Sequence, residues 1–164
     1  GGGDWAADRL IPDILKSFEK NEAVVVRNPN ATRPWQHVLE PLSGYLMLAQ
    51  NLYNNPKEYS EGWNFGPNIN DVKPVEYIVE TITSLWPGSS WKKDYDLHPH
   101  EAGFLKLDIS KAREKLDWAP TWELNKSLDK IVTWHKAWLN QENMYSLCLE
   151  EIKEYMKDMN HENS

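Results

Sequence analysis

The stretch RNPNATRPWQHV, Arg27 to Val38, sets two fixed cations on a turn-rich segment beside an indole. A guanidinium is a planar fork of N–H donors that meets two phosphate oxygens at once. Arg33 is therefore a candidate for a diphosphate. Arg27, directly after three valines, suits a second phosphate contact or the edge of a flat base. Each charge-assisted bond of this kind is worth on the order of 1.5–3 kcal/mol in a partly dry cleft. A plainer reading treats both as surface arginines paired with the chain's abundant Asp and Glu. The stretch alone does not choose between them.

Three other constellations invite chemistry. His98-Pro99-His100-Glu101 gathers two imidazoles and a carboxylate, but zinc or copper wants a third firm ligand at a usual spacing. His37 and His135 lie far away in sequence, so a loop touching a ligand and a solvated turn stand beside the metal reading. Tyr53 and Lys57 have the four-residue spacing of the tyrosine–lysine pair that short-chain dehydrogenases carry on one helix. Pro56 directly before the lysine biases the backbone out of helix, so the pair is read as chance. Gly1-Gly2-Gly3 lacks the G-x-G-x-x-G spacing of a dinucleotide loop.

The scaffold that must hold these residues is bounded by composition. The chain has 164 residues, 40% hydrophobic and 26% charged, which fits one globular domain with a sizeable core. Its formal net charge of −7 argues against nucleic-acid partners, whose backbones demand accumulated Lys and Arg, so any phosphate site is local. Nine tryptophans serve either as core or as platforms for sugars and bases. Cys148 is the only cysteine, so neither a disulfide framework nor a cysteine zinc site is built, in keeping with a reducing compartment. No apolar run reaches the roughly 18 residues of a membrane span, and a basic-then-apolar signal segment is lacking. The expectation is a cytoplasmic protein with no membrane partner.

Periodicity then places the elements. Leu10, Ile11, Ile14, Leu15 and Phe18 predict a helix opening at Asp8 as N-cap, with Pro12 in its first turn. Ala23 to Val26 reads as a strand feeding the arginine loop, and Trp35 to Val38 as a second. Leu39 to Tyr53 is helical, with Leu42, Tyr45, Leu46 and Ala49 on one face. Trp63 to Pro67 reads as a strand broken by a turn, Val72 to Trp86 as a helix, Trp91 to Tyr95 and Leu105 to Leu107 as weak strands. Ser110 caps a short helix through Leu116. Asn125 caps a longer one that turns Leu128, Ile131, Val132, His135, Trp138 and Leu139 inward. Met144 to Met159 is amphipathic through Tyr145, Leu149, Ile152, Met156 and Met159, and Asn160 to Ser164 fray. The strands are too few and too short for a doubly wound sheet.

Five strings in order, GGGDWAADRLIPD, RNPNATRPWQHVLEPLSGYL, WNFGP, HPHEAGFLKLDISKAREKLDW and TWELNKSLDKIVTWHKAWL, resemble the CDP-glucose 4,6-dehydratase family. That family is part of the extended short-chain dehydrogenase/reductase group of nucleotide-sugar enzymes. The resemblance runs from residue 1 to about 143. It implies an α/β fold of mostly helices with a few short strands, the small C-terminal substrate-binding domain of a longer enzyme. It further implies an N-terminal Rossmann domain, with its NAD and its proton-transfer residues, that is not expected within these 164 residues. The whole enzyme would convert CDP-glucose to a CDP-4-keto-6-deoxy sugar and water.

Carried over residue by residue, the resemblance gives Arg33 to the pyrophosphate. It gives Arg9, Leu10, Ile11 and Pro12 to the cleft lining, Val25 and Arg27 to the base, and Asn64 to the neighbourhood of the phosphates. His98, His100 and Glu101 fall on a loop that closes over the nucleotide. Asp4 and Trp5 fall on the turn into the cleft, and Trp35 supports Arg33 from the core. No catalytic or metal-ligating residue is assigned, and no NAD is expected on this chain by itself. Residues 1–143 form the CDP-sugar-binding unit and 144–164 an added helix and tail, with a parent that is a homo-oligomer. As an excised portion the chain should expose apolar surface, self-associate, or be mobile near residues 1–12 and 96–105. The alternative is an autonomous nucleotide-sugar-binding or structural module without activity.

Overall fold

A computed structural model describes residues 1–95 and 103–162. Seven helices and four three-residue strands follow one another in these residues. They are α1 (Leu10–Glu19), β1 (Val24–Val26), β2 (Thr32–Pro34), α2 (Leu39–Asn54), α3 (Pro56–Tyr59), β3 (Val72–Pro74), α4 (Val75–Leu85), β4 (Trp91–Lys93), α5 (Ser110–Leu116), α6 (Leu124–Leu139) and α7 (Met144–Glu162). β1 and β4 pair in parallel with Val25 opposite Lys92. β2 and β3 pair antiparallel with Arg33 opposite Lys73. Mostly helical with two small ribbons, the architecture is the one the sequence implies.

The main core is assembled by the apolar stripes of three helices around β1. Ile14, Leu15 and Phe18 of α1 meet Val24 and Val26, Ile78, Val79 and Ile82 of α4, and Leu124, Leu128, Ile131 and Val132 of α6. Each buried aliphatic of this kind contributes roughly 1.5–3 kcal/mol. α1 stops where Asn21 turns left-handed, at φ 57°. Its N–H then reaches Phe18 O and that of Glu22 reaches Ser17 O, at 3.0 and 2.9 Å, which satisfies carbonyls that the helix leaves open. Gln141 closes α6 in the same way, with φ 58°. A second cluster joins Phe65, Ile109, Ala112, Leu116 and Trp118 under Met47 and Leu48 of α2.

α7 is tied to the body along one face by polar contacts. Glu40, fully buried in the first turn of α2, accepts from Thr121 N and Trp122 N at 2.8 Å each and from the Tyr155 hydroxyl at 2.7 Å. Asp158 accepts from Trp122 Nε1 at 2.8 Å and Lys126 Nζ at 2.6 Å, and Glu154 pairs with Lys126 and Lys130.

Several expectations are corrected. Asp8 is not a cap: its φ is 59°, and Arg9 takes the N-cap position with extended backbone. The second strand is Thr32–Pro34 rather than Trp35 to Val38, because Thr32 and Pro34 find partners on β3. Val72–Pro74 accordingly leaves the expected helix and becomes that partner. Trp63 to Pro67 and Leu105 to Leu107 pair with no strand among the described residues, save one bridge from Thr32 to Phe104. The caps of α5 and α6 fall on Ile109 and Glu123. The Asp108 carboxylate nevertheless accepts the Ser110 N–H at 2.9 Å. α7 continues through Asn160 to Glu162, where fraying was expected. The α2 face of Leu42, Tyr45 and Leu46 points to solvent, with Leu46 74% exposed. Trp138 and Leu139, expected to face inward, are also exposed.

Candidate functional site

A cleft of about 510 Å³ opens between the start of α1, β1 and β2. Its walls bring together Arg9, Leu10, Ile11, Pro12, Val25, Arg27 and Arg33, with Asp4, Asp8, Asp13, Asn28, Trp35 and Val75 completing the rim and floor. Residues 9–12 arrive because the N-terminus of α1 points into the cleft. The first N–H groups of a helix have no intrahelical acceptor, and Pro12 has none to offer, so Leu10 and Ile11 present the available donors. Val25 lies outward in the buried–exposed–buried rhythm of β1, which sets an apolar floor against the opening.

The arginine loop is fixed by the start of α4. Ala31 O accepts Val75 N and Pro29 O accepts Glu76 N, each at 2.9 Å, so the loop caps α4 while it shapes the cleft. Arg33, half-buried, donates Nη1 to Thr32 O at 3.0 Å and lines the cleft. Arg27 meets Asp8 at 3.5 Å, both exposed, a pair worth little in water and open to exchange for a stronger anion. Trp35 packs against the main core and donates Nε1 to Lys73 O at 2.9 Å. That bond ties the residue two after Arg33 to β3. The lining holds three arginines and three aspartates, so its formal charges balance and the placement of donors, not a net field, distinguishes it.

Asn64 stands apart from these residues. Its side chain donates to Asp108 O at 3.3 Å, beside the second cluster and outside the cleft lining. His98, His100 and Glu101 lie outside the described residues. The chain on either side of them is anchored at the cleft: Asp94 N donates to Val26 O at 2.8 Å, and Thr32 N to Gly103 O at 2.9 Å.

The remaining constellations resolve structurally. α2 ends at Asn54, Asn55 breaks the helix at φ −137°, and Tyr53 is 89% exposed, so Tyr53 and Lys57 share no helix. The glycine run packs on an indole: a Cβ at Gly2 would stand 1.9 Å from Trp134 Cδ2. Those residues do not fit the phosphates of NAD. Among the described residues no three His, Cys, Asp or Glu side chains are grouped for a metal.

Sequence reasoning passed over Glu40 and His37. His37 is buried, its Nδ1 accepts Leu39 N at 3.3 Å, and its Nε2 faces Glu151 at 3.9 Å. Burial, then the positive charges of the terminal amino group and Lys130, push its pKa down to about 3. Burial also pushes the Glu151 carboxyl up. The available signal was a carboxylate in the first turn of α2, three residues after a histidine.

No family model matches the chain. A CDP-glucose 4,6-dehydratase of Salmonella typhimurium is 57% identical over 157 residues, 95% of this chain. Over nearly its whole length the chain is a relative of CDP-glucose 4,6-dehydratase. It spans 44% of that relative's length. Among solved structures, a dTDP-glucose 4,6-dehydratase from Bacillus anthracis in complex with NAD superposes with TM-score 0.61 at 19% identity. That match covers 79% of this chain and 39% of the other. A UDP-glucose 4-epimerase with UDP-glucose from Thermotoga maritima gives 0.60 at 19%, covering 82% and 41%. The fold is thus shared with portions of nucleotide-sugar dehydratases and epimerases of the extended short-chain dehydrogenase/reductase group.

Proposed function

We propose that the chain is the C-terminal, CDP-sugar-binding portion of a CDP-glucose 4,6-dehydratase. The observation that carries this reading is the cleft, which gathers Arg9, Leu10, Ile11, Pro12, Val25, Arg27 and Arg33 from α1, β1, β2 and the loop between the two strands. In it Arg33 takes two oxygens of the CDP diphosphate, the open N–H groups of α1 and Arg9 take others, and Val25 with Arg27 flanks cytosine. Asn64 is assigned to the neighbourhood of the phosphates from outside the cleft lining, and His98, His100 and Glu101 to nucleotide contact. Residues 1–143 form this unit, and 144–164 add a helix and tail.

The whole protein is proposed to convert CDP-D-glucose to CDP-4-keto-6-deoxy-D-glucose and water with tightly held NAD, as a cytoplasmic homo-oligomer. NAD supplies the hydride chemistry when bound, and its site and every proton transfer are assigned to the larger remainder of the protein. The outward face of α2, with Leu42, Tyr45, Leu46 and Tyr53, suits that remainder. These side chains form an exposed apolar face on α2, of the kind that a neighbouring domain normally covers.

Titration calorimetry of the chain with CDP tests the reading. Binding that weakens at least about tenfold in Arg33→Ala supports it, since one bidentate contact is worth that much. Equal affinities in both proteins remove Arg33 from the site. The chain alone should not turn over CDP-glucose with added NAD, and turnover would refute the assignment of chemistry to the remainder.

A further inference from the structure

Resting on the reading of the cleft as a CDP-sugar site, we propose that Asp8 selects cytosine over uracil. It accepts the exocyclic amino group while Arg27 meets the ring edge beside it. Val25, Arg27 and Asp8 line the same cleft. Val25 points outward from β1, half exposed, and offers an apolar surface to the flat face of a base. Arg27 Nη2 donates to Asp8 Oδ1 at 3.5 Å. The two side chains are 50% and 88% exposed, so water already competes for the bond and both groups are available to a ligand. Asp8 is set there by a left-handed turn, φ 59°, one residue before the N-cap of α1. Of the three aspartates in the lining it is the one paired with Arg27, whereas Asp4 accepts Ala6 N at 3.1 Å.

Hydrogen-bond chemistry selects the base. The pairing edge of cytosine presents two acceptors, O2 and N3, and then a donor, the N4 amino group. Uracil presents the O2 acceptor, an N3–H donor and the O4 acceptor. A guanidinium carries donors alone, so Arg27 by itself takes the oxygens of either base. An ionised carboxylate carries acceptors alone. Beside the guanidinium it accepts from N4 of cytosine, the contact that Asp and Glu make to this base in nucleic-acid recognition. Against uracil it faces O4, acceptor to acceptor. Arg27 and Asp8 thus offer donors and an acceptor side by side, which complements cytosine and mismatches uracil. A dry site that loses such a bond rejects the wrong ligand by roughly 10⁴-fold. This pair is exposed, so the expected discrimination is on the order of tenfold.

Titration calorimetry of the full chain with CDP and with UDP tests this. Wild type should bind CDP about tenfold more tightly than UDP. Asp8→Asn keeps the length of the side chain, and asparagine tolerates the left-handed turn. Its amide accepts from N4 or donates to O4. The variant should therefore bind CDP more weakly and UDP more tightly, and the ratio should fall to about threefold or less. A merely structural role would shift both nucleotides together. Arg33→Ala should weaken both and keep the ratio. A wild type that does not distinguish the nucleotides, or a ratio that Asp8→Asn leaves intact, overturns the role of Asp8, while a loss in Arg33→Ala still upholds the cleft. A chain that binds neither nucleotide at millimolar concentration overturns both.

Discussion

Replacing Glu40 by Gln keeps the volume of a buried side chain and removes its charge, and the structure sets the cost. The carboxylate accepts Thr121 N and Tyr155 OH on Oε2 and Trp122 N on Oε1. An amide retains one acceptor oxygen and turns two N–H donors toward groups that are themselves donors. One charge-assisted bond is lost, about 1.5–3 kcal/mol, and at least one donor is left buried without a partner, a further 1–3 kcal/mol. Glu40→Gln should therefore destabilise the chain by about 3 kcal/mol, which lowers Tm by roughly 6–12 °C at this size. Tyr155→Phe loses its hydroxyl bonds to Glu40, Ser43 and Thr121 and should cost about 2 kcal/mol. Because the two side chains bond each other, the double variant should cost at least 0.5 kcal/mol less than the sum. Urea unfolding followed by tryptophan fluorescence measures all three. A Glu40→Gln variant within 0.5 kcal/mol of wild type, or additive costs, would refute the idea that α7 clamps the first turn of α2 through this carboxylate.

Two further perturbations follow from packing and burial. His37, held to about 3 in the folded chain against 6.5 ordinarily, binds a proton more readily when unfolded. Its contribution is complete above about pH 6.5 and is lost as pH falls toward 3, at up to about 1.4 kcal/mol per pH unit. Urea titrations at pH 7 and pH 5 should show that loss in wild type and a smaller one in His37→Gln; equal losses would contradict it. Gly44 faces Phe65, and an added Cβ would lie 2.3 Å from the ring. Gly44→Ala should cost about 1–3 kcal/mol by overpacking despite its better helix propensity, and a stabilised variant would contradict the packing.

How much of this was legible in sequence depended on what each signal measures. The stripes of α1, α4 and α6 reported themselves because the faces they mark are covered within the chain. The same arithmetic marked Leu42, Tyr45 and Leu46 on α2, a face that is exposed to solvent. Periodicity names an apolar face, not its neighbour. β2 and β3, Thr-Arg-Pro and Val-Lys-Pro, form by pairing with each other, while Trp63 to Phe65 has the pattern but pairs with no strand among the described residues. The cleft was legible mainly through resemblance, since residues 9–12 and 25–33 touch only after α1 and β1 have packed. Glu40 was missed because a glutamate in a first helical turn ordinarily signals nothing beyond a favourable dipole.

The central claim, that Arg33 reads a diphosphate, is tested most directly by the affinity gap between CDP and cytidine. Measured by calorimetry in wild type and Arg33→Ala, the account predicts that the variant loses at least tenfold for CDP, leaves cytidine unchanged and so closes most of the gap. A gap of the same size in both proteins would contradict it.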